Sequence, residues 1–187
     1  MSMNISSESL YFIAISPISL LQERICTIKN DIYQKYGTKG SFRSPAHITL
    51  QMPFKKKLSK IQSLQIDITA FAKAQHSFQI DLNGFGAFEP RVVYIQVMEN
   101  ETLQHLHNEL QKLLKLHHIF GSTYRQQAFH PHITVAFRDL KKQQFYPLWE
   151  EYQQKDFQEH FQADGITLFK HNGEIWEEYQ HFPFPSI

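Results

Sequence analysis

The feature that most constrains this chain is a short internal repeat. Pro45-Ala46-His47-Ile48-Thr49-Leu50 returns half a chain later as Pro131-His132-Ile133-Thr134-Val135. A matched pair of His-Ile-Thr-aliphatic segments is expected about 0.01 times by chance in this composition. Each segment has strand character. In a strand, residues i and i+2 share one face and residue i+1 takes the other. His47 and Thr49 therefore project together, as do His132 and Thr134. Ile48, Leu50, Ile133 and Val135 face the opposite way and anchor each strand in a core.

Two such strands lying side by side or across a groove bring two imidazoles and two hydroxyls together. An imidazole titrates near neutrality, so one can act as base while another acts as acid at the same pH. Displacement at phosphorus needs an entering and a leaving oxygen roughly in line, and two histidines can serve one each. Two threonine hydroxyls can donate to the non-bridging oxygens, where charge builds up. A neighbouring ribose hydroxyl supplies the intramolecular geometry, so the chemistry calls for no metal or cofactor. Neither motif carries the carboxylate or third ligand that a catalytic zinc takes.

The rest of the chain reads as alternating helices and strands. Strands are expected at Leu10 to Ile15, at Ala46 to Met52 (closed by Pro53), at Phe78 to Leu82 and at Val92 to Met98. Others follow at His132 to Phe137, near Phe161–Lys170 and near Glu174–Phe182, with Asn172-Gly173 as a two-residue hairpin signal. Apolar residues three and four apart predict helices from about Ser19 to Tyr36, Ser59 to Gln75, Asn100 to His117 and Lys142 to Gln154. The pattern is mixed α+β with mostly antiparallel strands.

Length and charge narrow the class further. The 187 residues suit one compact domain or two intimately packed lobes, with 42% hydrophobic residues for a core. A formal charge of +1 marks no global field of a general nucleic-acid binder. Lys55-Lys56-Lys57 is the one concentrated basic run, expected as a solvated loop. Cys26, the only cysteine, reads as a small core residue and permits no disulfide framework. The N-terminus lacks a basic leader region, and Tyr11 to Ile15 is too short to span a membrane. The expected compartment is the cytoplasm, with no membrane association and no protein partner evident.

At the repeated residues the sequence resembles the 2H phosphoesterase superfamily, which includes the 2′-5′ RNA ligases and the 2′,3′-cyclic nucleotide phosphodiesterases. Its signature is two copies of His-hydrophobic-Thr/Ser-hydrophobic, matched by His47-Ile48-Thr49-Leu50 and His132-Ile133-Thr134-Val135. Phe88 to Ile95 looks like the family's middle-strand segment. The resemblance implies one bilobal domain over residues 1–187. Its two similar lobes have antiparallel sheets that form a concave groove, with helices on the outside. It also implies that His47, Thr49, His132 and Thr134 carry catalysis on RNA or nucleotides bearing a cyclic or 2′-linked phosphate.

Relatives commonly place an arginine directly after the alanine of the second motif. Here Phe137 intervenes and Arg138 follows, returning to the groove face by strict alternation. Arg138, Tyr94 and Arg43 are the candidate substrate contacts, Tyr94 as a base-stacking ring. Phe54 and Phe88 read as core, with a lid or base-stacking role as the alternative, and His130 as a supporting residue behind His132. Two other readings stay open: an RNA- or nucleotide-binding module with little turnover, and a phosphodiesterase acting on a non-RNA ester.

Overall fold

The computed structural model describes residues 8–120 and 128–185. Its elements, in chain order, are β1 (Glu8–Ile15), α1 (Ser19–Tyr36), a 3-10 turn (Gly40–Arg43), β2 (Ile48–Lys57), α2 (Leu58–Lys73), β3 (Phe78–Phe88), β4 (Val92–Val97), α3 (Glu101–Leu116), β5 (His132–Ala136), α4 (Lys142–Tyr152), β6 (Gln158–Ala163), β7 (Gly165–His171) and β8 (Trp176–Pro183).

All eight strands join one sheet in the order β6-β3-β4-β5-β2-β1-β7-β8, with every neighbouring pair antiparallel. Asp164 alone separates β6, at one edge, from β7, second from the other. A one-residue link cannot cross a flat sheet of that width, so the sheet curls round. Four strands lie on each side of the β5–β2 seam, and each half contributes one copy of the repeat.

The four helices pack on one face. Leu21, Ile25 and Ile32 of α1, Ile61, Leu64 and Ile68 of α2, Leu103, Leu106 and Leu110 of α3, and Phe145 and Leu148 of α4 join the isoleucines of the strands in a single core. The helices end where the sequence indicates. Gly37 closes α1 at φ 71°, with its N–H donating to Tyr33 O at 2.8 Å. Asn100 caps α3, its side chain accepting from Leu103 N at 2.9 Å.

Several expectations shift. β2 runs through Pro53 to Lys57, because the register against β1 slips around Met52-Pro53 and absorbs the proline in a bulge. The three lysines thus end a strand and form no loop. Asn83-Gly84 breaks no strand either. Gly84, at φ 67°, sits in a second irregularity inside a longer β3. The segment expected as one strand near 161–170 divides at Asp164 between the two halves of the sheet. The last hairpin has a four-residue loop, since His171 pairs with Trp176, and Asn172 Oδ1 accepts from Glu174 N and Ile175 N. Cys26 is exposed, one position off the buried stripe of α1.

Candidate active site

The two motifs meet where β2 and β5 pair, and the pairing fixes their arrangement. Ile48 and Ile133 are partners in an antiparallel register. Continued one residue each way, that register sets His47 across from Thr134 and Thr49 across from His132. Both isoleucines are fully buried on the helix side, which stabilises each strand by about 1.5–3 kcal/mol. The histidines and threonines take the other face, and all four are half-buried. The register so extended is locally two-fold, with each histidine opposite the other motif's threonine.

Both imidazoles are oriented in the same way. His47 Nδ1 lies 2.8 Å from Pro45 O, and His132 Nδ1 lies 2.8 Å from His130 O. A carbonyl only accepts, so each Nδ1 carries its proton and donates it. Each neutral ring then keeps its lone pair on Nε2. Pro45 and Pro131 lie within the segments that bring these carbonyls into place.

Aromatic walls desolvate both rings. His47 stands 4.7 Å from the Phe12 ring and 6.1 Å from Phe169, and Phe12 also contacts Trp176 at 4.7 Å. His132 stands 5.0 Å from both Phe88 and Tyr94. Burial lowers the pKa of His47 to about 4, aided by the nearby charges of Lys29 and His132 and opposed by the Pro45 hydrogen bond. Burial also lowers His132, with His130 as its repelling neighbour. Both imidazoles are therefore neutral at pH 7 in the free protein.

Lys29 supports the first motif from behind. It occupies a core-stripe position of α1 and is only 4% exposed. Its ammonium donates to Ser41 O at 3.0 Å and Ser44 O at 3.2 Å, fixing the segment that leads into His47. Burial holds its pKa down to about 8.

The remaining candidates divide. Tyr94 does lie on the motif face, beside His132, with its hydroxyl 3.1 Å from His130 Nε2. At 7% exposure it is too enclosed to stack on a base, while Phe88, expected in the core, is 40% exposed beside it. Arg138 does not continue the alternation, because β5 ends at Ala136 and Arg138 turns to φ 68°. Its guanidinium carbon lies 5.6 Å over the Phe137 ring. Arg43 is exposed at the end of the 3-10 turn, lining a cavity of about 400 Å³ with Lys29 and Trp176. Phe54 packs against the core as expected.

Sequence reasoning missed Phe12, Phe169 and Trp176. A usable signal was there: Leu10 to Ile15 is apolar at every position, so both faces of that strand are covered. Among the described residues no three of His, Cys, Asp or Glu converge as a ligand set, and no helix is long and apolar enough to cross a membrane.

The chain thus combines a curled antiparallel sheet and helices on one face with a histidine and a threonine from each motif on the other. The sequence pattern of the 2′-5′ RNA ligase superfamily matches residues 17–174, and the chain belongs to that family, within the 2H phosphoesterases. A protein of Geobacillus sp. (strain WCH70) that bears a phosphoesterase name is 26% identical over 176 residues, 92% of this chain and 94% of its own length. Escherichia coli LigT, solved with 3′-AMP, superposes with a TM-score of 0.72 at 18% identity, covering 95% of this chain and 99% of LigT. A structure from Thermus thermophilus gives 0.68 at 17% identity, covering 94% and 97%. At those identities the two structures establish the fold, and the family match makes the chain an enzyme of the 2H phosphoesterase class.

Proposed function

We propose that the chain acts on a phosphoester next to a ribose hydroxyl, opening 2′,3′-cyclic phosphates or handling 2′-5′ linkages of RNA or nucleotides. His47 and His132 are the acid/base pair, Thr49 and Thr134 hold the phosphate, and no metal takes part. The observation that carries the reading is the matched pair of imidazoles. Each has Nδ1 tied to a carbonyl two residues back and Nε2 left as the working nitrogen. That LigT has been solved with 3′-AMP, ATP and NADP+ supports a nucleotide or RNA substrate.

In hydrolysis, one Nε2 takes a proton from water as its oxygen attacks phosphorus. The bond to the ribose oxygen breaks, and the second histidine protonates that oxygen from its own Nε2. Run backwards, the same steps form the bond. In the free protein both rings are neutral, so the acid needs a proton before the step. The phosphate monoanion supplies the reason to take one, since an anion between the rings raises both pKa values. The threonine hydroxyls donate to the non-bridging oxygens, which gain charge in the transition state.

The test is turnover and binding on the same substrates: 2′,3′-cyclic nucleotides, short RNAs with a cyclic end, and 2′-5′ linked dinucleotides. Tight binding with no turnover on any of them would replace the enzyme reading with that of an RNA- or nucleotide-binding module. Turnover of a cyclic or linear phosphate ester without a ribose, and of none of these, would move the substrate outside RNA.

A further inference from the structure

A cavity of about 520 Å³ opens at the far end of β2, where Glu8 and Lys55 to Lys57 meet the start of α2, with Ser59, Lys60 and Ser63, and the end of α3, with Leu116 to Ile119. Four lysines thus face one carboxylate, in a chain whose net charge is only +1. Among the described residues none of these ammonium groups is ion-paired. His117 is engaged with Asp67 at 2.7 Å, and Lys56 Nζ donates to His117 O at 2.8 Å. Burial, and after it the neighbouring charge of Lys60, lower the pKa of Lys56.

The register connects this cluster to the groove. Lys55 pairs with Leu10, which packs against the Phe12, Phe169 and Trp176 cluster, and partners across an antiparallel pair share a face. Lys57 pairs with Glu8 and follows on the same face. The groove face therefore carries His47 and Thr49 at the start of β2 and Lys55 and Lys57 at its end, while Lys56, bonded to His117 O, and Lys60 of α2 line the cavity from the helix side. Two register slips shorten β2 here, and the four-residue step on β1 from Ala14, opposite Thr49, to Leu10, opposite Lys55, sets them about 14 Å apart at a strand's rise per residue. That span exceeds one nucleotide, so a mononucleotide at the histidines leaves the lysines untouched.

We propose that the lysine-lined cavity binds the phosphate backbone of an RNA chain whose reacting end lies at His47 and His132. The inference rests on the proposed histidine site. A cationic groove that tracks the backbone beside aromatic rings is how single strands are held without regard to sequence. The cavity gives the enzyme a preference for chain ends over free nucleotides.

The experiment compares a 2′,3′-cyclic mononucleotide with an oligoribonucleotide carrying the same cyclic end, in wild type and in a Lys55→Gln/Lys57→Gln/Lys60→Gln variant. Lys56 is left in place because it holds the end of α3. KM for the oligonucleotide should rise at least roughly tenfold with kcat unchanged, while the mononucleotide is unaffected. The salt dependence should flatten by about 0.7 in slope for each backbone phosphate no longer neutralised. The corresponding triple arginine variant should keep the wild-type KM. An unchanged oligonucleotide KM and salt slope, or equal losses on both substrates, would overturn the proposal. If wild type turns over neither substrate, the histidine reading fails. Fluorescence anisotropy with the same oligonucleotide then decides the cavity by itself, through a loss or retention of affinity in the glutamine variant.

Discussion

Ile48 and Ile133 are partners in an antiparallel register, and through that single pair the two halves of the sheet present their histidines to each other. Each isoleucine is fully buried, with its flanking histidine and threonine on the opposite face. The two motifs are therefore anchored at the seam by two fully buried residues, and extending their register by one residue sets each histidine opposite the other motif's threonine.

The two histidines should behave as one unit. His47→Ala or His132→Ala removes the base or the acid, a loss of roughly 10²–10⁴-fold in kcat. The double variant should lose far less than the product of the singles, because groups acting in one transition state are not additive. Steady-state kinetics on a 2′,3′-cyclic nucleotide reads this directly. If one alanine variant keeps wild-type turnover while the other is inert, the paired mechanism is wrong.

The threonines should matter less. Thr49→Val and Thr134→Val each delete one hydroxyl donor to a charged oxygen, about 1.5–3 kcal/mol, or roughly ten- to a hundredfold. Both threonines hold the same position in their motifs and are half-buried alike, so the two losses should be similar in size. Unchanged kcat/KM for both valine variants would remove them from the phosphate site.

The pH profile should be a bell displaced to the acid side. Activity needs one imidazole neutral and one protonated. In the free enzyme both pKa values lie below the ordinary 6.5, with His47 near 4. As pH rises, the acid loses its proton below 6.5 and kcat/KM falls. As pH drops towards 4, the base is protonated and kcat/KM falls again. Bound phosphate lifts both values, so the kcat bell should sit at higher pH than the kcat/KM bell. The two limbs belong to the coupled pair. A kcat/KM optimum well above pH 7 would contradict the desolvated site.

Chelation should leave activity intact, since the chemistry assigned to the histidines and threonines needs no Lewis acid. Turnover is to be followed after exhaustive EDTA treatment and after adding back zinc or manganese. Loss with EDTA and recovery with metal counts against the mechanism.

Much of this arrangement was legible because strand alternation is local. The faces of His47, Thr49, His132 and Thr134 follow from their own neighbours, as does the cap at Asn100. What was not legible depends on partners remote in sequence. The bulge that carries β2 through Pro53 exists because β1 slips against it. Arg138 leaves the alternation because β5 ends early, where Gly40 packs against the 137–139 backbone and side chains. Lys29 looks like a misplaced charge in a helix stripe until Ser41 and Ser44 offer their carbonyls. The exposure of Phe88 depends on Tyr94 filling the space beneath it.

Tyr94 gives the last prediction, because its place depends on one glycine. Gly86 and Tyr94 are register partners on β3 and β4, and a Cβ at Gly86 would collide with the Tyr94 ring and hydroxyl. Since the close approach involves ring atoms held against Phe88, His130 and His132, relief requires moving the ring that walls the second histidine. Gly86→Ala should destabilise the fold by about 1–3 kcal/mol, the range for an overpacked site. It should also lower kcat more than it raises KM, because His132 loses the wall that orients and desolvates it. In a Tyr94→Ala background the added methyl meets no ring, so the same Gly86→Ala change should cost much less. A double-mutant cycle by urea denaturation should show a coupling of at least about 0.5 kcal/mol, as for residues in direct contact. Tyr94→Phe removes only the hydroxyl bond to His130 and should keep most of the stability and turnover, separating the ring's packing from its hydrogen bond. Additive Gly86→Ala and Tyr94→Ala effects would mean that the ring does not rest on Gly86, and that the wall behind His132 is held by something else.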